Sequence, residues 1–313
     1  MLQIRRLLYP TDCSEGAQRA FPQAAFLADW HDAELHLLNV TGRHRHDYPD
    51  AQEQFPVPPD MLTDWLRRPG DGASDADGPD LPALSLVQEQ VESAHPADAI
   101  LSYADEHTVD LIVMGTHGRR GVDRMLFGSV TEEVVRKAAC PTLTVRADAD
   151  GPPDQTVRRV LTPIDFSDAS GVAIDHAKEI ALTYGAEIDL LHVVEEPSYP
   201  SAYGADVGPF PTREVLDRVE AQLATMAEHD IGYEHVMVEA RTGHPPSTIL
   251  EYAEETGADL IVIATHGRTG LDRMLLGSVA ERVLRQSPVP VFIVRPDRTG
   301  LLPSSAAAAS AEG

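Results

Sequence analysis

The sequence predicts an α/β fold of two tandem doubly wound domains, and three observations carry that prediction. Residues 116–146, THGRRGVDRMLFGSVTEEVVRKAACPTLTVR, return without a gap as residues 265–295, THGRTGLDRMLLGSVAERVLRQSPVPVFIVR, with 18 of 31 positions identical. Strand-like and helix-like stretches alternate within each copy, the pattern of a parallel sheet wound on both faces. Asp110–Gly115 and Asp259–Ala264 are nearly continuous apolar runs, as expected of central parallel strands covered on both sides.

The rest of each copy follows in step. Tyr9-Pro10-Thr11-Asp12-Cys13-Ser14 aligns with Thr162-Pro163-Ile164-Asp165-Phe166-Ser167 at an offset of 153, and His95-Pro96 with His244-Pro245 at 149. The length difference therefore lies between residues 41 and 94. Domains are expected over 1–147 and 155–296, with an irregular insert at about 42–83 and a disordered tail over 297–313. A chain of 313 residues suits two single-core domains.

In order, the first strands are Ile4–Tyr9 and Val157–Pro163, followed by Ala-rich helices at Ser14–Trp30 and Ser167–Tyr184. Strands follow at Glu34–Val40 and Glu187–Val194, then at Leu84–Val91 and Glu234–Ala240. Helices Pro96–His107 and Pro245–Thr256 open with proline in the first turn, where its missing N–H is harmless. Last come helices from Ser129 and Ser278 and strands Thr142–Val145 and Val291–Val294. The middles diverge. Val215, Val219, Leu223 and Met226 recur at helical spacing within Thr212–His229, whereas the first copy carries seven prolines and an acidic Gly/Pro run that leave at most a short helix near Asp60–Arg67. His44 and His46 in that insert read more simply as solvated loop residues than as metal ligands.

Composition sets further limits. Fifty acidic residues against 25 basic ones give a net charge of −25, with lysine only at Lys137 and Lys178. Such a charge argues against nucleic acid and against an anionic membrane as partners. It fits a halophilic setting, where salt screens self-repulsion, with an acidic mesophilic protein as the alternative. Two distant cysteines, Cys13 and Cys140, make neither a disulfide framework nor a metal knuckle and read as small buried side chains. With no signal peptide and no apolar run long enough for a membrane span, a cytoplasmic location is expected.

The duplicated loop carries the chemistry. Gly115-Thr116-His117-Gly118, nine residues, then Gly128-Ser129 spells G-x2-G-x9-G-S at a strand end. Glycines let backbone N–H groups approach a ligand, and the capping-box spacings Ser129/Glu132 and Ser278/Glu281 place a helix start, with its positive dipole end, just behind. Glycines that only turn the chain and serines that only cap are the alternative, which repetition of the loop at unchanged length disfavours.

This loop, the strand-end motif Pro10-Thr11-Asp12 and the order of elements resemble the universal stress protein family, in its tandem two-domain form, over about 1–146 and 155–295. The resemblance implies an adenine nucleotide alpha hydrolase-like fold, a five-stranded parallel sheet per domain with the first and fourth strands adjacent at the switch point. It further implies ATP or AMP as ligand, with Mg2+ or Mn2+ bridging phosphate oxygens. Pro10, Thr11 and Asp12 would approach the adenosine and the main chain at Val40 the adenine edge. Met114, Gly115 and Gly118 would line the ribose and phosphate side, and Gly128, Ser129, Val130 and Thr131 would hold the phosphates through N–H groups and hydroxyls. Arg119 and Arg124 could add cationic contacts, although they read first as surface arginines.

Carried to the second copy, the site is Pro163, Asp165, Val193, Ile263, Gly267, Gly277, Ser278 and Val279. Three departures weaken it: Ile164 for Thr11 and Ala280 for Thr131 remove hydroxyls, and Ala264 for Gly115 adds a methyl where the ligand would pass. A nucleotide-binding regulatory or stress-response protein with little or no hydrolysis is the expected function. A slow ATP hydrolase or nucleotidyl-transferring enzyme, for which only His117 and His266 could serve, and a dimerising scaffold without nucleotide are the alternatives. The family also implies association through final strands, so Leu143 and Val145 should face Phe292 and Val294 in an intramolecular pseudo-dimer, with a further homodimer left open.

Overall fold

The computed structural model describes residues 2–42, 55–66, 84–116, 128–146, 156–195, 213–265, 276–295 and Leu301. The first half runs β1 (Arg6–Pro10), α1 (Glu15–Trp30), β2 (Glu34–Thr41), α2 (Pro59–Leu66), β3 (Leu86–Glu92), α3 (Pro96–Glu106), β4 (Leu111–Gly115), α4 (Ser129–Lys137) and β5 (Thr142–Val145). The second half repeats it as β6 (Arg159–Pro163), α5 (Asp168–Tyr184), β7 (Glu187–Glu195), α6 (Arg213–Met226), β8 (Val236–Gly243), α7 (Pro245–Thr256), β9 (Leu260–Ala264), α8 (Ser278–Gln286) and β10 (Val291–Val294). Among the described residues no helix is long and apolar enough to cross a membrane.

Each half forms a parallel five-stranded sheet, and the two fuse into one sheet of ten in the order β3-β2-β1-β4-β5-β10-β9-β6-β7-β8. The seam is antiparallel. Leu143 stands opposite Phe292, with Thr144 opposite Val291 and Thr142 opposite Ile293. Of the four residues expected to face one another, only Leu143 and Phe292 do, because antiparallel pairing carries Val145 and Val294 to opposite ends of the seam. All four still share one apolar cluster. Burying Leu143 and Phe292 contributes about 1.5–3 kcal/mol each to holding the halves together.

Helices cover both faces. α1, α2, α5 and α6 contribute to one continuous apolar cluster that spans both halves, whereas α3 with α4, and α7 with α8, pack in separate clusters. β4 and β9 are buried almost throughout, as apolar strands covered on both sides must be. In the insert, Leu62 and Trp65 of α2 are buried, so this short helix substitutes for the longer α6. Within α6, Leu223 is buried, but Val215 at its start is exposed because only the later turns overlie the core. The helix expected to reach His229 leaves α geometry after Met226, in a π turn over Ala227–Ile231 closed by left-handed Gly232. β8 runs on to Gly243, beyond the expected end at Ala240, because β7 pairs with it as far as Glu195.

Side chains from each half cap helices of the other. Arg295 donates to the carbonyl of Arg136 near the end of α4, and Arg146 reaches the carbonyl of Gln286 at the end of α8, 3.3 Å away. Cations are favoured at helix C-termini, where carbonyls lack intrahelical donors. The tail also departs from expectation at one residue. Leu301 is 4% exposed; its N–H donates to His176 Nε2 at 3.3 Å, and its carbonyl accepts from the Gln3 N–H at 3.4 Å. Leu301 thus joins the start of the first half to α5 of the second, beside a cavity of about 40 Å3 lined by Leu27, Leu143, Ile180 and Phe292 among others. That cavity lies at the seam, away from the strand ends discussed next.

Candidate functional site

β1 pairs with β2 on one side and β4 on the other, so the chain leaves these neighbouring strands in opposite directions. This is the switch point at which a doubly wound sheet opens a crevice. Past Pro10 the Thr11 N–H still bonds the Leu38 carbonyl at 2.9 Å, and then the chain turns away. Successive residues of a strand point their main-chain groups to alternate neighbours. The N–H and C=O of Val40, two residues beyond Leu38, therefore face the gap that β1 has left. Ile164 bonds Leu191 in the same way at 2.8 Å, which turns Val193 to the equivalent gap.

The turn itself is strained and held. Cys13 and Phe166, each just after the aspartate, take left-handed φ of 57° and 61°, unusual for residues with a Cβ. Asn39 holds the first turn: its amide donates to the Thr11 carbonyl at 2.8 Å, and its Oδ1 accepts from Gln90 at 2.9 Å. His192 takes that place in the second half, with Nδ1 2.6 Å from the Ile164 carbonyl. Neither residue was singled out from the sequence. The available signal was a polar residue, Asn or His, at the sixth position of each second strand, directly after two leucines.

Asp12 accepts from the Ser14 N–H at 3.0 Å, and Ser14 caps α1. In the second half Oδ1 of Asp165 collects three donors, the Ser167 N–H at 3.0 Å and the hydroxyls of Ser167 and Ser170 at 2.5 Å. The first half has Ala17 where Ser170 stands, so that last donor is lost there. Beneath the first turn the buried Tyr9 hydroxyl bonds the Ala17 carbonyl, and burial pushes its pKa well above the ordinary phenol range, which keeps it protonated.

The loop of each half is closed at its base. Thr116 N–H bonds the Val145 carbonyl at 2.9 Å, and Gly128 N–H bonds the Thr116 carbonyl at 2.9 Å; Thr265 and Gly277 repeat this at 3.0 and 2.7 Å. These bonds correct the expectation that Gly128 and Gly277 offer their N–H groups to phosphate. They also correct the capping box. Gly128 and Gly277 are the N-caps, no side chain caps either helix, and Ser129 and Ser278 are first helical residues. The first intrahelical bond runs from Glu132 N–H to Gly128 at 2.9 Å. The N–H groups of Ser129, Val130 and Thr131 consequently have no acceptor within α4, and those of Ser278, Val279 and Ala280 none within α8.

Three differences between the halves prove internal. The Thr11 hydroxyl accepts the Cys13 N–H at 3.0 Å, and the Thr131 hydroxyl donates to the Gly115 carbonyl at 3.0 Å. Ile164 and Ala280 therefore lose ties within the fold rather than ligand hydroxyls. A Cβ at Gly115 would meet the Gly16 carbonyl of α1 at 2.9 Å, so the Ala264 methyl points at α5, where it lies buried in the apolar cluster with Ala169, not into the ligand path. Met114 and Ile263 bury their side chains under the opposite helices, Pro10 and Pro163 end β1 and β6, and Val130 and Val279 pack partly on the core. Gly118, Gly267, His117, His266, Arg119, Arg124, His44 and His46 lie outside the described residues.

Both cysteines are buried, and burial pushes the Cys140 thiol up to about 12. Among the described residues no three His, Cys, Asp or Glu side chains cluster closely enough to hold a metal ion.

The family model described as "Universal stress protein family" matches residues 3–146 and 156–295. A universal stress protein of Mycobacterium tuberculosis is 32% identical over 214 residues, 68% of this chain and 70% of that protein. One from Mycolicibacterium smegmatis is 34% identical over 217 residues, 67% and 69% of the two chains. The crystal structure of a universal stress protein from Archaeoglobus fulgidus superposes with a TM-score of 0.66 at 23% identity, covering 93% of this chain and 98% of that one.

Proposed function

We propose, from the premise that the chain belongs to the universal stress protein family, that each half binds an adenine nucleotide where its first and fourth strands part. The observation that carries this is the uncapped first turn of α4 behind the switch point. Three adjacent N–H groups without intrahelical acceptors, at the positive end of a helix dipole, suit a phosphate chain. The main-chain donor and acceptor of Val40 suit an adenine edge. No charged side chain is needed for either contact, which fits a chain of net charge −25.

The residues present therefore fit ATP or AMP. Mg2+ or Mn2+ would ride on the phosphate oxygens, keeping most of its water, as Mg2+ commonly does. The first half is the stronger site, because Ser170 adds to the donors that already occupy the Asp165 carboxylate. The role we assign is regulatory, with nucleotide occupancy as the signal, in a cytoplasmic and salt-rich setting.

Calorimetric titration of ATP and AMP into the intact chain tests this reading. Ser129→Pro removes one cradle N–H at a position where proline is tolerated, and the extended Gly128 (φ −63°, ψ 128°) already suits a following proline. Loss of one hydrogen bond to a charged phosphate should weaken ATP at the first site about 10- to 100-fold. Ser278→Pro should do the same at the second. Unchanged binding in both variants would rule out the helix starts as the cradle.

A further inference from the structure

Glu132 and Glu281 lie in the first turns of α4 and α8, the helices that open on the two candidate phosphate cradles. An acidic residue there favours the helix dipole but repels a phosphate bound at the same helix end. Each carboxylate belongs to the first helical turn, within about one turn's rise of its cradle. A single cation meets both. Arg285, in the last turn of α8, brings Nη2 to 2.8 Å from Glu281 Oε1 and to 3.4 Å from Glu132 Oε2. The second contact crosses from one half of the chain to the other.

We propose that Arg285 is a positioning residue shared by the two nucleotide sites, neutralising the carboxylate at the head of each phosphate-binding helix. This rests on the nucleotide reading above. It makes the first site incomplete without the second half: the carboxylate beside its cradle is balanced by a residue more than 150 positions away. It also gives the tandem arrangement a purpose at the sites themselves, because separating the halves would expose Glu132 to the incoming phosphates. As a surface-level ion pair of groups about one-third exposed, Arg285 with Glu132 contributes little to folding, so its role lies in the field at the cradles.

The test is ATP titration at 0.1 M and 1 M KCl into the intact chain and three variants, with thermal melting to establish folding. Arg285→Gln should weaken ATP at both sites roughly three- to tenfold at 0.1 M, and much less at 1 M, where screening falls to about 3 Å. Adding Glu132→Gln to Arg285→Gln should restore the first site alone, and adding Glu281→Gln instead should restore the second alone. Undiminished affinity in Arg285→Gln overturns the proposal. So does a loss that the added substitutions fail to rescue, since that would mark Arg285 as a packing residue. If the wild-type chain binds no ATP at either salt, the nucleotide reading itself falls, and this inference with it.

Discussion

Gly115, the last residue of β4, stands against Gly16 in the first turn of α1 so closely that a Cβ would lie 2.9 Å from the Gly16 carbonyl. Backbone cannot yield there as the tip of a flexible side chain could. Gly115→Ala should therefore destabilise the chain by about 1–3 kcal/mol in denaturant unfolding. Ala264→Gly at the equivalent place should cost only about 0.5–1 kcal/mol, the ordinary penalty of glycine within a strand. Equal effects would mean that α1 and α5 approach their sheets alike.

His176 makes stability depend on acid. Its Nδ1 bonds the Val172 carbonyl at 2.8 Å and its Nε2 accepts from Leu301, so both nitrogens are committed to the neutral ring, and burial lowers its pKa below 6.5 despite Asp175 and Glu179 nearby. The folded chain then resists a proton that the unfolded chain takes up below about 6.5. This contribution is complete above that pH and is lost as pH falls toward the folded value. Melting temperature should drop between pH 7 and pH 5, and His176→Gln should flatten that drop.

Asn39→Ala would leave the Thr11 carbonyl and the Gln90 amide without their partner. A cost of about 1–3 kcal/mol is expected from buried groups left unsatisfied. ATP titration should show weaker binding at the first site and no change at the second, where His192 does the same work.

Phe292→Ala removes the ring opposite Leu143 at the centre of the seam. Loss of about 3–5 kcal/mol is expected. Calorimetric melting should separate into two transitions as the halves uncouple; a single transition would place the cooperativity elsewhere.

Much of this was legible because the signals are local. The apolar runs of β4 and β9, proline at the head of α3 and α7, and the duplicated loop each act within a few residues, and helix starts at Ser129 and Ser278 followed from them. What misled were side chains whose partners are set by how the chain turns in space. Thr11 and Thr131 looked like ligand hydroxyls until Cys13 and Gly115 claimed them, and Leu301 looked like tail until His176 and Gln3 held it. A hydroxyl at a strand end serves ligand and fold with the same chemistry, and only its neighbours in space tell which.

By itself the sequence determined two copies of one doubly wound domain and their family, since periodicity and glycine spacing reflect backbone constraints that operate locally. Tertiary structure alone decided how the copies join and which groups remain for a ligand. Antiparallel pairing put Leu143 opposite Phe292, the base of each loop consumed the N–H of Gly128 and of Gly277, and Arg285 came to lie between Glu132 and Glu281. The seam and the Arg285–Glu132 contact bring together residues that the chain order leaves far apart, and hydrogen bonds and charges respond to closeness in space whatever the separation in sequence.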